Sequence, residues 1–439
     1  MDQTATGKAQ RGNWSSETAF IFSMAAAAAG LGNLWRFPYI AGENGGGAFI
    51  LAYLAALFVV VLPVMVLEVA AGRLAEGNTV QTYRAVRRMA AIYGWFVVGL
   101  TIVITSYYLV VTGWTLGFAM DSVRGNLRPF AEFSEGYASV WYFLAVLVLA
   151  WLLLIRGLGG LERFSKAMMP VLFVVIAFLA VRGMAMPGWD EAVAFLFQSD
   201  LSRLGDRQVW VMAFGQAFYS LAIGQGYLVT YGSYVPRHVH LLRACIIVAV
   251  AETMVALAAG LMIFPYVFSL GIDPAQGSDL ALSVMPRVFA ELSYGAGLAI
   301  LFFGLFFLAA FSSAVAGMKV IISAVAEEFS MAERKAVALT AIGLAVLGLP
   351  SALSFTPLAL TIAGRPVLEW VDQAVGTHVV LASGLFGAAF LAWFVPRERL
   401  DLALASHGRW FQQHLYIVGR WLPPLILIWL TATYVLTGE

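Results

Sequence analysis

The stretch AAAAAGLGNLWRFPYIAGENGGG, residues 25–47, lies within an apolar segment that is long enough to cross a membrane. Its alanine run favours a helix, but Gly30 and Gly32 interrupt that helix and the charged Arg36 follows them. In lipid every backbone N–H and C=O needs a partner, so unwound backbone is tolerated only where protein or a wet cavity surrounds it. The stretch therefore predicts a helix that breaks beside a buried cavity.

Composition indicates an integral membrane protein. Of 439 residues, 61% are hydrophobic and only 12% are charged, which is more apolar surface than a water-soluble core could bury. Long continuous apolar runs favour a bundle of α-helices over a β-barrel. We predict an all-α membrane protein with eleven transmembrane helices near residues 16–40, 46–75, 92–120, 137–156, 164–183, 209–234, 242–270, 292–326, 335–350, 366–395 and 414–436.

The placement of positive charges predicts the orientation. With residue 1 in the cytoplasm, the inner loops carry more than twice as many Lys and Arg residues as the outer loops. We therefore expect a multi-pass protein of the cell (inner) membrane. Its N-terminus is expected in the cytoplasm and, after eleven crossings, its C-terminus outside.

A second glycine pair echoes the first. The stretch SLAIGQGYL, residues 220–228, places Gly224 and Gly226 in the middle of the sixth predicted span. The number of crossings between the two pairs inverts the second relative to the first, a pattern typical of transporters that bind substrate between two broken helices. Close helix packing through small residues is the alternative reason for such glycines.

A broken helix can hold an anion and a cation together, because it exposes N–H groups at the start of its second half and carbonyls at the end of its first. Leu31 and Gly32 supply such amides. Oxygen ligands suit a hard alkali cation. Candidates are the carbonyls of Ala26, Ala28 and Ala29 and the side chains of Asn33, Ser220, Glu252, Ser312 and Ser313.

Four ionisable residues in the predicted spans are candidate functional groups: Arg36, Glu68, Glu252 and Asp372. An ionised side chain at the membrane centre costs about 2.5–3.5 kcal/mol even on insertion scales, so its presence indicates a function. Arg36 and Asp372 are placed to pair across an outer vestibule. A weak, water-facing pair suits a gate that must open.

At these residues the sequence resembles the neurotransmitter:sodium symporter family, particularly its short prokaryotic members with eleven helices and amino-acid substrates. The resemblance runs over nearly the whole chain. Its motifs are GLGNLWRFPYIAGENGGGAF (30–49), LEVAAGR (67–73), YYLVVTGWTLGFA (107–119), RGLGGLERFSKAMMP (156–170), FGQAFYSLAIGQG (214–226), TYGSYV (230–235) and AAFSSAVAG (309–317).

The resemblance implies Na⁺-coupled uptake of an amino acid by alternating access. It also implies two inverted five-helix repeats, in which helices 1 and 6 are unwound, plus an eleventh helix. The implied parts are a cytoplasmic N-terminal tail (1–15), repeat 1 with helices 1 to 5 (16–183), an outer connecting loop (184–208), repeat 2 with helices 6 to 10 (209–395), and an inner loop with helix 11 (396–439).

The resemblance further implies site residues, position by position. The first Na⁺ site would use Ala28, Asn33, Ser220 and Glu252 with the substrate carboxylate, and the second would use Ala26, Ala29, Ala309, Ser312 and Ser313. The substrate carboxylate would bind Tyr108 and the amides of Leu31 and Gly32, and its ammonium the carbonyls of Ala28, Tyr219 and Ser220. The side-chain pocket would comprise Ala27, Ile104, Tyr219, Ala222, Ile223, Gln225, Ser313 and Gly317.

The resemblance also implies two gates and a structural carboxylate. The outer gate would be Arg36 with Asp372, closed over by Tyr219. The inner gate would consist of Arg11 and Glu327, with Trp14 and Tyr234 nearby. Glu68 would cap amides that the broken sixth helix frees.

Departures from the family pattern refine the ion requirement. Gly30 matches amino-acid carriers, because monoamine carriers have an aspartate at that position. Glu252 stands where relatives usually have asparagine or aspartate, and Ala256 offers no side chain that binds an anion. We predict that the charge of Glu252 replaces chloride, so that transport is chloride-independent. A glutamate there could also titrate, which leaves proton coupling as an alternative.

Two further departures concern the side-chain pocket. Gly317 replaces a larger apolar residue of the leucine-transporting relative, and Gln225 replaces a phenylalanine. We expect a larger pocket that takes a bulky neutral amino acid, aromatic or long aliphatic. A polar amino acid such as glutamine is the alternative, because a buried Gln225 needs a hydrogen-bond partner. The unwound backbone is an equally good partner for Gln225.

Other function classes fit less well. A membrane-embedded enzyme would need a nucleophile with its base, or metal ligands at helical spacing, and the chain has neither HExxH nor Gly-x-Ser-x-Gly. Broken helices could line a channel filter, but this chain holds a pseudo-symmetric site of its own. We predict no enzyme activity, Na⁺ as coupling ion, an amino acid and the lipid bilayer as partners, and no nucleic acid. The sequence leaves the oligomeric state open.

Overall fold

Helices form nearly all of the regular structure. The computed structural model describes residues 12–198, 200–275, 277, 280–404 and 409–437. Within them, one antiparallel pair of strands is described, β1 (Thr361–Ile362) and β2 (Arg365–Pro366). The α-helices are α1 (Glu17–Ala28), α2 (Phe37–Glu43), α3 (Gly47–Ala56), α4 (Leu62–Ala75), α5 (Thr79–Val86), α6 (Ala91–Val123), α7 (Phe130–Ser134), α8 (Ala138–Leu154), α9 (Gly157–Gly183), α10 (Trp189–Phe197), α11 (Arg207–Ser220), α12 (Tyr227–Gly232), α13 (Leu241–Ser269), α14 (Met285–Glu291), α15 (Gly295–Glu328), α16 (Glu333–Ala352), α17 (Val367–Val371), α18 (Val380–Phe394), α19 (Arg397–Ala403) and α20 (Arg409–Thr437).

Several of these helices suit a membrane. Among the described residues, seven spans are long and apolar enough to cross it, or eight if α1 and the bent segment Gly32–Glu43 are counted as one. The other three predicted spans fall on α8, on α11 with α12, and on α20. Large apolar side chains such as Trp141 and Val174 face outward, as expected of helices solvated by lipid. The chain is therefore an all-helical, multi-pass membrane protein, and the count of eleven stays a prediction.

The first predicted span is broken at its glycine pair. Ser16 caps α1 by accepting a hydrogen bond from the Ala19 amide, and regular α-helix ends at Ala28. The chain resumes as a π-helical turn, Gly32–Arg36, that runs into α2. The axis bends by 49° across this break.

The sixth predicted span is broken in the same way. Helix α11 ends at Ser220 and α12 begins at Tyr227, with a non-helical segment between them. Gly224 and Gly226 have φ angles of +72° and +76°, which are easy for glycine, and Ala222 has a φ of +52°. Both breaks thus coincide with the glycine pairs.

The breaks lie deep in the bundle. Helix α1 packs against α9, α13 and α15, and the long helices α6 and α15 pack along each other. Small residues in α1 permit this close packing: Ala25, Ala26, Ala27 and Ala28 are all buried. Backbone from the first break therefore faces the side chains of α6 and α15.

Several short elements were not predicted from the sequence. The segment expected as a loop at residues 184–208 contains α10 and a 3₁₀ turn, Leu201–Gly205. The tenth predicted span is interrupted by a π-helical turn, Asp372–Val379, between α17 and α18. These pieces have too few residues for hydrophobic periodicity to reveal them.

Candidate functional site

The first break presents backbone groups to its neighbours. The Leu31 amide donates a hydrogen bond to the Tyr108 hydroxyl on α6, at 3.0 Å. At the end of α1, the Ala26 carbonyl accepts from Ser312 Oγ on α15, at 2.6 Å. A backbone donor and a backbone acceptor near the break thus bond to side chains of other helices, as a broken helix predicts.

A small cavity of about 40 Å³ lies against both breaks. This volume is well below the range of roughly 300–1,000 Å³ for small-molecule sites, so the helices close tightly around the site. Most lining side chains are short or polar. The lining residues are Ala27, Ala28, Gly30, Gly32, Ile104, Tyr108, Tyr219, Ser220, Ala222, Gln225, Tyr227 and Ser313.

The cavity collects most of the substrate residues expected from the sequence, with three exceptions. Leu31, Ile223 and Gly317 are not among its lining residues, although the Leu31 amide donates to Tyr108, which is one of them. Tyr227 also lines the cavity, although it was not among the site residues predicted from the sequence. Its position directly after the second glycine pair is the signal that would have indicated it.

Gly317 does not enlarge the cavity as expected. A Cβ atom built on Gly317 would lie 2.4 Å from the Tyr227 hydroxyl oxygen and 2.5 Å from Thr105 Oγ1. The space that a side chain at position 317 would fill is therefore occupied by these two hydroxyl groups. We expected a larger cavity from position 317 of α15 alone. The Tyr227 side chain, which approaches from α12, takes up that space.

Residues of the first implied Na⁺ site form a buried oxygen cluster. Asn33 Nδ2 donates to the Glu252 carbonyl at 3.3 Å, whereas Asn33 Oδ1 is buried without a hydrogen-bond partner among the described residues. The Ser220 hydroxyl and the Glu252 carboxylate are also buried. Such an orphaned amide oxygen beside a carboxylate and a hydroxyl fits a hard cation such as Na⁺. The Ala28 carbonyl accepts from the Gly30 amide at 2.8 Å.

Two further residues, Tyr53 and Gln216, support this cluster, and neither was predicted from the sequence. Tyr53 donates from its hydroxyl to the Glu252 carboxylate, 2.8 Å from each oxygen. Gln216 Nε2 donates to Ser220 Oγ at 2.9 Å and to the Gly32 carbonyl at 2.7 Å. Both are polar side chains inside otherwise apolar spans, which is the signal that would have found them.

Residues of the second implied Na⁺ site meet where α15 crosses α1. Ser312 Oγ lies 2.6 Å from the Ala26 carbonyl and 2.8 Å from the Ala309 carbonyl. Ser313 Oγ donates to the Ala27 carbonyl at 2.8 Å. Hydroxyl and carbonyl oxygens converge here, and Ala29 follows directly after α1. The donor set fits a second alkali cation, which would replace the hydrogen bonds of Ser312.

Glu68 on α4 lies at the second break. Its Oε1 accepts from the Gly224 amide at 3.0 Å, and the residue is fully buried. The Gly224 carbonyl accepts from the Ser383 hydroxyl at 2.8 Å. Side chains thus satisfy both backbone groups of Gly224, so the unwound segment can stay buried.

The residues of the implied outer gate lie close together without forming the expected pair. Arg36 donates to Gln216 Oε1 at 3.2 Å, and its guanidinium lies 4.8 Å from the centre of the Tyr219 ring. Asp372 interacts electrostatically with both Arg36 and Tyr219. Among the described residues, Arg36 and Asp372 form no ion pair within 4.0 Å. Gln216 and the Tyr219 ring hold the guanidinium instead.

The residues of the implied inner gate lie where the chain enters α1. Trp14 Nε1 donates to the Tyr231 carbonyl at 3.1 Å, and the Trp14 amide donates to the Tyr234 carbonyl at 3.0 Å. The Trp14 side chain is only 2% exposed. The chain preceding α1 is thereby fastened to α12 and to the residues that follow it.

Glu327, near the end of α15, ties that helix to α5. Its Oε2 accepts from the backbone amide and from the side chain of Asn78, each at 3.1 Å. Asn78 is also the N-cap of α5, where its side chain accepts from the Gln81 amide. The expected partner of Glu327, Arg11, lies outside the described residues.

Comparison with known proteins decides the family. A model of the sodium:neurotransmitter symporter family matches residues 11–140 and 131–436. The chain belongs to this family. It is 30% identical to an uncharacterized sodium-dependent transporter of Haemophilus influenzae, over 96% of this chain and 98% of that protein. A sodium-dependent transporter of Bacillus subtilis is also 30% identical, over 94% of this chain and 96% of its own length.

A solved structure shows the same architecture. The crystal structure of MhsT in complex with L-phenylalanine matches with a TM-score of 0.88 and 31% identity, covering 96% of this chain and all of that one. As a member of the sodium:neurotransmitter symporter family, this chain is a sodium-dependent symporter of a small-molecule substrate, and not an enzyme. Its cavity and oxygen clusters are the candidate sites for substrate and Na⁺.

Proposed function

We propose that this symporter imports a neutral L-amino acid, driven by Na⁺, through alternating access. The observation that carries the proposal is at the first break. There the Leu31 amide and the Tyr108 hydroxyl, which can bind a carboxylate, adjoin the cluster of Asn33, Ser220 and Glu252. A carboxylate on the substrate would neutralise the cation beside it. That MhsT was solved with L-phenylalanine supports an α-amino acid as the substrate class.

Reconstituted protein tests the proposal. Purified protein in liposomes is given each labelled neutral amino acid under an inward Na⁺ gradient, with choline replacing Na⁺ outside as the control. We expect at least one of them to accumulate above its external concentration with Na⁺ and not with choline. Collapse of the Na⁺ gradient by an ionophore should release the accumulated label. Absence of Na⁺-driven accumulation for every amino acid would refute the proposal.

We also propose that two Na⁺ ions bind in each transport cycle. The first oxygen cluster contains a carboxylate and an orphaned amide oxygen, and the second contains the Ser312 and Ser313 hydroxyls with α1 carbonyls. The two clusters are built by different helices, since α13 contributes only to the first and α15 only to the second. Uptake rate should therefore depend on Na⁺ concentration with a Hill coefficient above one.

We further propose that transport does not require chloride. Glu252 is fully buried, and Tyr53 holds both of its carboxylate oxygens. Among the described residues it has no Lys or Arg partner within ion-pair distance. A fixed negative charge next to a Na⁺ ligand set supplies what a bound anion would otherwise supply. The neighbouring Ala256 is buried and offers no hydrogen-bond donor in its side chain.

We also propose an arrangement of two inverted repeats with one gate on each side of the membrane. Residues 16–183 and 209–395 act as inverted repeats, with the loop 184–208 outside and residues 396–439 forming the last loop and helix. Arg36, Asp372 and Tyr219 act at the outer side, and Trp14, Tyr234, Glu327 and Arg11 at the cytoplasmic side of the inner membrane. The burial of Trp14 against α12 supports a closed cytoplasmic side.

A second candidate is coupling to protons in place of one Na⁺. The observation that favours it is the same buried Glu252, whose described partners are neutral. The two mechanisms separate in a pH series without Na⁺. Accumulation driven by an inward proton gradient at zero Na⁺ favours the second candidate, and its absence favours the first.

A further inference from the structure

Two neighbouring hydroxyl groups, those of Tyr227 and Thr105, have no role in the site described so far. Tyr227 is the first residue of α12, and its side chain lines the cavity. Thr105 lies on α6, one helical turn before Tyr108, so both project from one face of that helix. These residues stand outside both oxygen clusters and outside the groups proposed for the carboxylate and ammonium.

The two hydroxyls converge because position 317 is a glycine. Both lie within 2.5 Å of the point where a Cβ of Gly317 would stand. Real side chains do not tolerate such approaches, so only glycine lets the Tyr227 hydroxyl reach the backbone of α15 beside Thr105. The sequence of α15 and the side chain at position 227 are thus matched to each other.

These side chains keep hydrogen-bonding capacity that the protein does not use. Thr105 is only 1% exposed, and its Oγ1 lies beside the Tyr227 hydroxyl without a well-formed hydrogen bond to a described residue. The Gln225 carboxamide, which also lines the cavity, makes no hydrogen bond to a described residue, and the residue is 4% exposed. Buried polar groups need hydrogen-bond partners, because a group left without one destabilises the state in which it is buried.

We infer that the carrier selects a neutral amino acid with a short side chain that ends in a hydroxyl or carboxamide group, and that Tyr227 is the residue that sets this selectivity. The inference rests on the proposed amino-acid symport and adds the substrate class. A hydroxyl or carboxamide on the substrate would both donate to and accept from the Tyr227, Thr105 and Gln225 side chains. An apolar side chain would leave the Gln225 carboxamide without a partner among the described residues and would leave the two hydroxyls with only each other.

Cavity size supports the same class. Tyr227 occupies the space beside Gly317 that a bulky side chain would need. The cavity is only about 40 Å³, well below the roughly 300–1,000 Å³ of most small-molecule sites, and Ile104 is the one large aliphatic residue among those that line it in the described structure. An aromatic substrate would have to displace the Tyr227 ring from its position between α6 and α15.

Threonine and valine provide the decisive comparison, because they have nearly the same shape and differ by a hydroxyl. Uptake of each into liposomes under a Na⁺ gradient gives a ratio of kcat/KM values, measured alongside serine, asparagine, glutamine, leucine and phenylalanine. We expect threonine to exceed valine by about tenfold or more, as for sites that bind a substrate hydroxyl. Leucine and phenylalanine should be transported least efficiently.

Variants assign the selectivity to Tyr227. Tyr227→Phe should lower the threonine-to-valine ratio about tenfold, and Thr105→Val should lower it in the same direction. Tyr231→Phe is the matched control, because this tyrosine is on the same helix and its hydroxyl is buried without a described partner, but it does not line the cavity. That variant should keep the wild-type ratio. If Tyr227→Phe fails to fold, Thr105→Val and the wild-type ratio still decide the matter.

The outcomes separate this inference from the proposed function. Na⁺-driven uptake that favours phenylalanine, leucine or valine over every polar amino acid would overturn the inference while leaving amino-acid symport intact. A ratio unchanged in both Tyr227→Phe and Thr105→Val would also overturn it. Absence of Na⁺-driven uptake for all amino acids would refute the proposed function and the inference with it.

Discussion

The Tyr108 hydroxyl accepts a hydrogen bond from the Leu31 amide across a distance of 3.0 Å, joining α6 to the unwound part of the first span. Because the tyrosine oxygen is the acceptor in this bond, its own proton can be donated elsewhere. Tyr108 is one of the residues that line the cavity. A substrate carboxylate there would receive the Tyr108 proton next to the amides of the break.

Tyr108→Phe is therefore expected to weaken amino-acid binding. A hydrogen bond to a charged group contributes about 1.5–3 kcal/mol, so the Kd should rise roughly 10- to 100-fold. Equilibrium binding of labelled substrate to detergent-solubilised protein measures this change. Tyr142→Phe is the control, because this tyrosine on α8 packs against Phe133 at 6.0 Å between ring centres and does not line the cavity. An unchanged Kd for Tyr108→Phe would contradict the proposed carboxylate position.

Asn33→Ala is expected to raise the Na⁺ concentration needed for half-maximal substrate binding. The variant removes the buried Oδ1 atom, which has no other described partner and is the best-placed neutral ligand of the first cluster. We expect a shift of about tenfold, in line with the loss of one charge-assisted contact. The readout is substrate binding titrated with NaCl.

Asn44→Ala controls for the loss of a buried asparagine. Asn44 is 8% exposed and donates from Nδ2 to the Ile40 carbonyl at 2.9 Å, at the end of α2. This variant should lower the melting temperature without shifting the Na⁺ titration. An Na⁺ titration that moves equally in both variants would mean that Asn33 acts only through stability.

Ser312→Ala is expected to act on the second cluster alone. The hydroxyl that approaches the Ala26 and Ala309 carbonyls disappears, so the Hill coefficient for Na⁺ should fall towards one while saturating Na⁺ still supports some uptake. Initial rates of uptake across an Na⁺ series provide the measurement. Ser351→Ala, a buried serine on α16 outside both clusters, should retain the wild-type curve.

Glu252→Gln is expected to create a chloride requirement. The substitution keeps the size of the side chain but removes the negative charge that Tyr53 and the first cluster surround. Uptake by the wild type should be the same in NaCl and in sodium gluconate. Uptake by Glu252→Gln should be several-fold faster in NaCl, because a bound anion then restores the missing charge. Equal rates of the variant in the two salts would argue against charge replacement.

Local features of the sequence predicted the breaks and many of the residues around them. Glycine pairs inside apolar spans were visible without any knowledge of packing, and the structure breaks both helices there. Asn33, Ser220 and Glu252 stood out as polar residues within apolar segments, and the structure brings them together. Such residues are conspicuous because a membrane leaves few reasons to bury them.

Features that depend on which helices touch were not predictable from one sequence. Nothing local indicates that Tyr53 reaches Glu252 from another helix, or that Gln216 rather than Asp372 binds the Arg36 guanidinium. The first contact joins α3 to α13 and the second joins the first break to α11, and hydrophobic periodicity does not encode which helices pack together.

Gly317→Ala tests whether α15 and Tyr227 are matched. Its new Cβ would lie 2.4 Å from the Tyr227 hydroxyl, which must move away from Thr105, so the threonine-to-valine ratio should fall about tenfold. Tyr227→Phe removes the clashing oxygen, so adding Gly317→Ala to it should lower the ratio little further, the non-additivity expected of residues in contact. Gly304→Ala is the control, because a Cβ there meets nothing within 4 Å on the same helix. Strictly additive effects of the two substitutions would show that position 317 acts independently of the tyrosine hydroxyl.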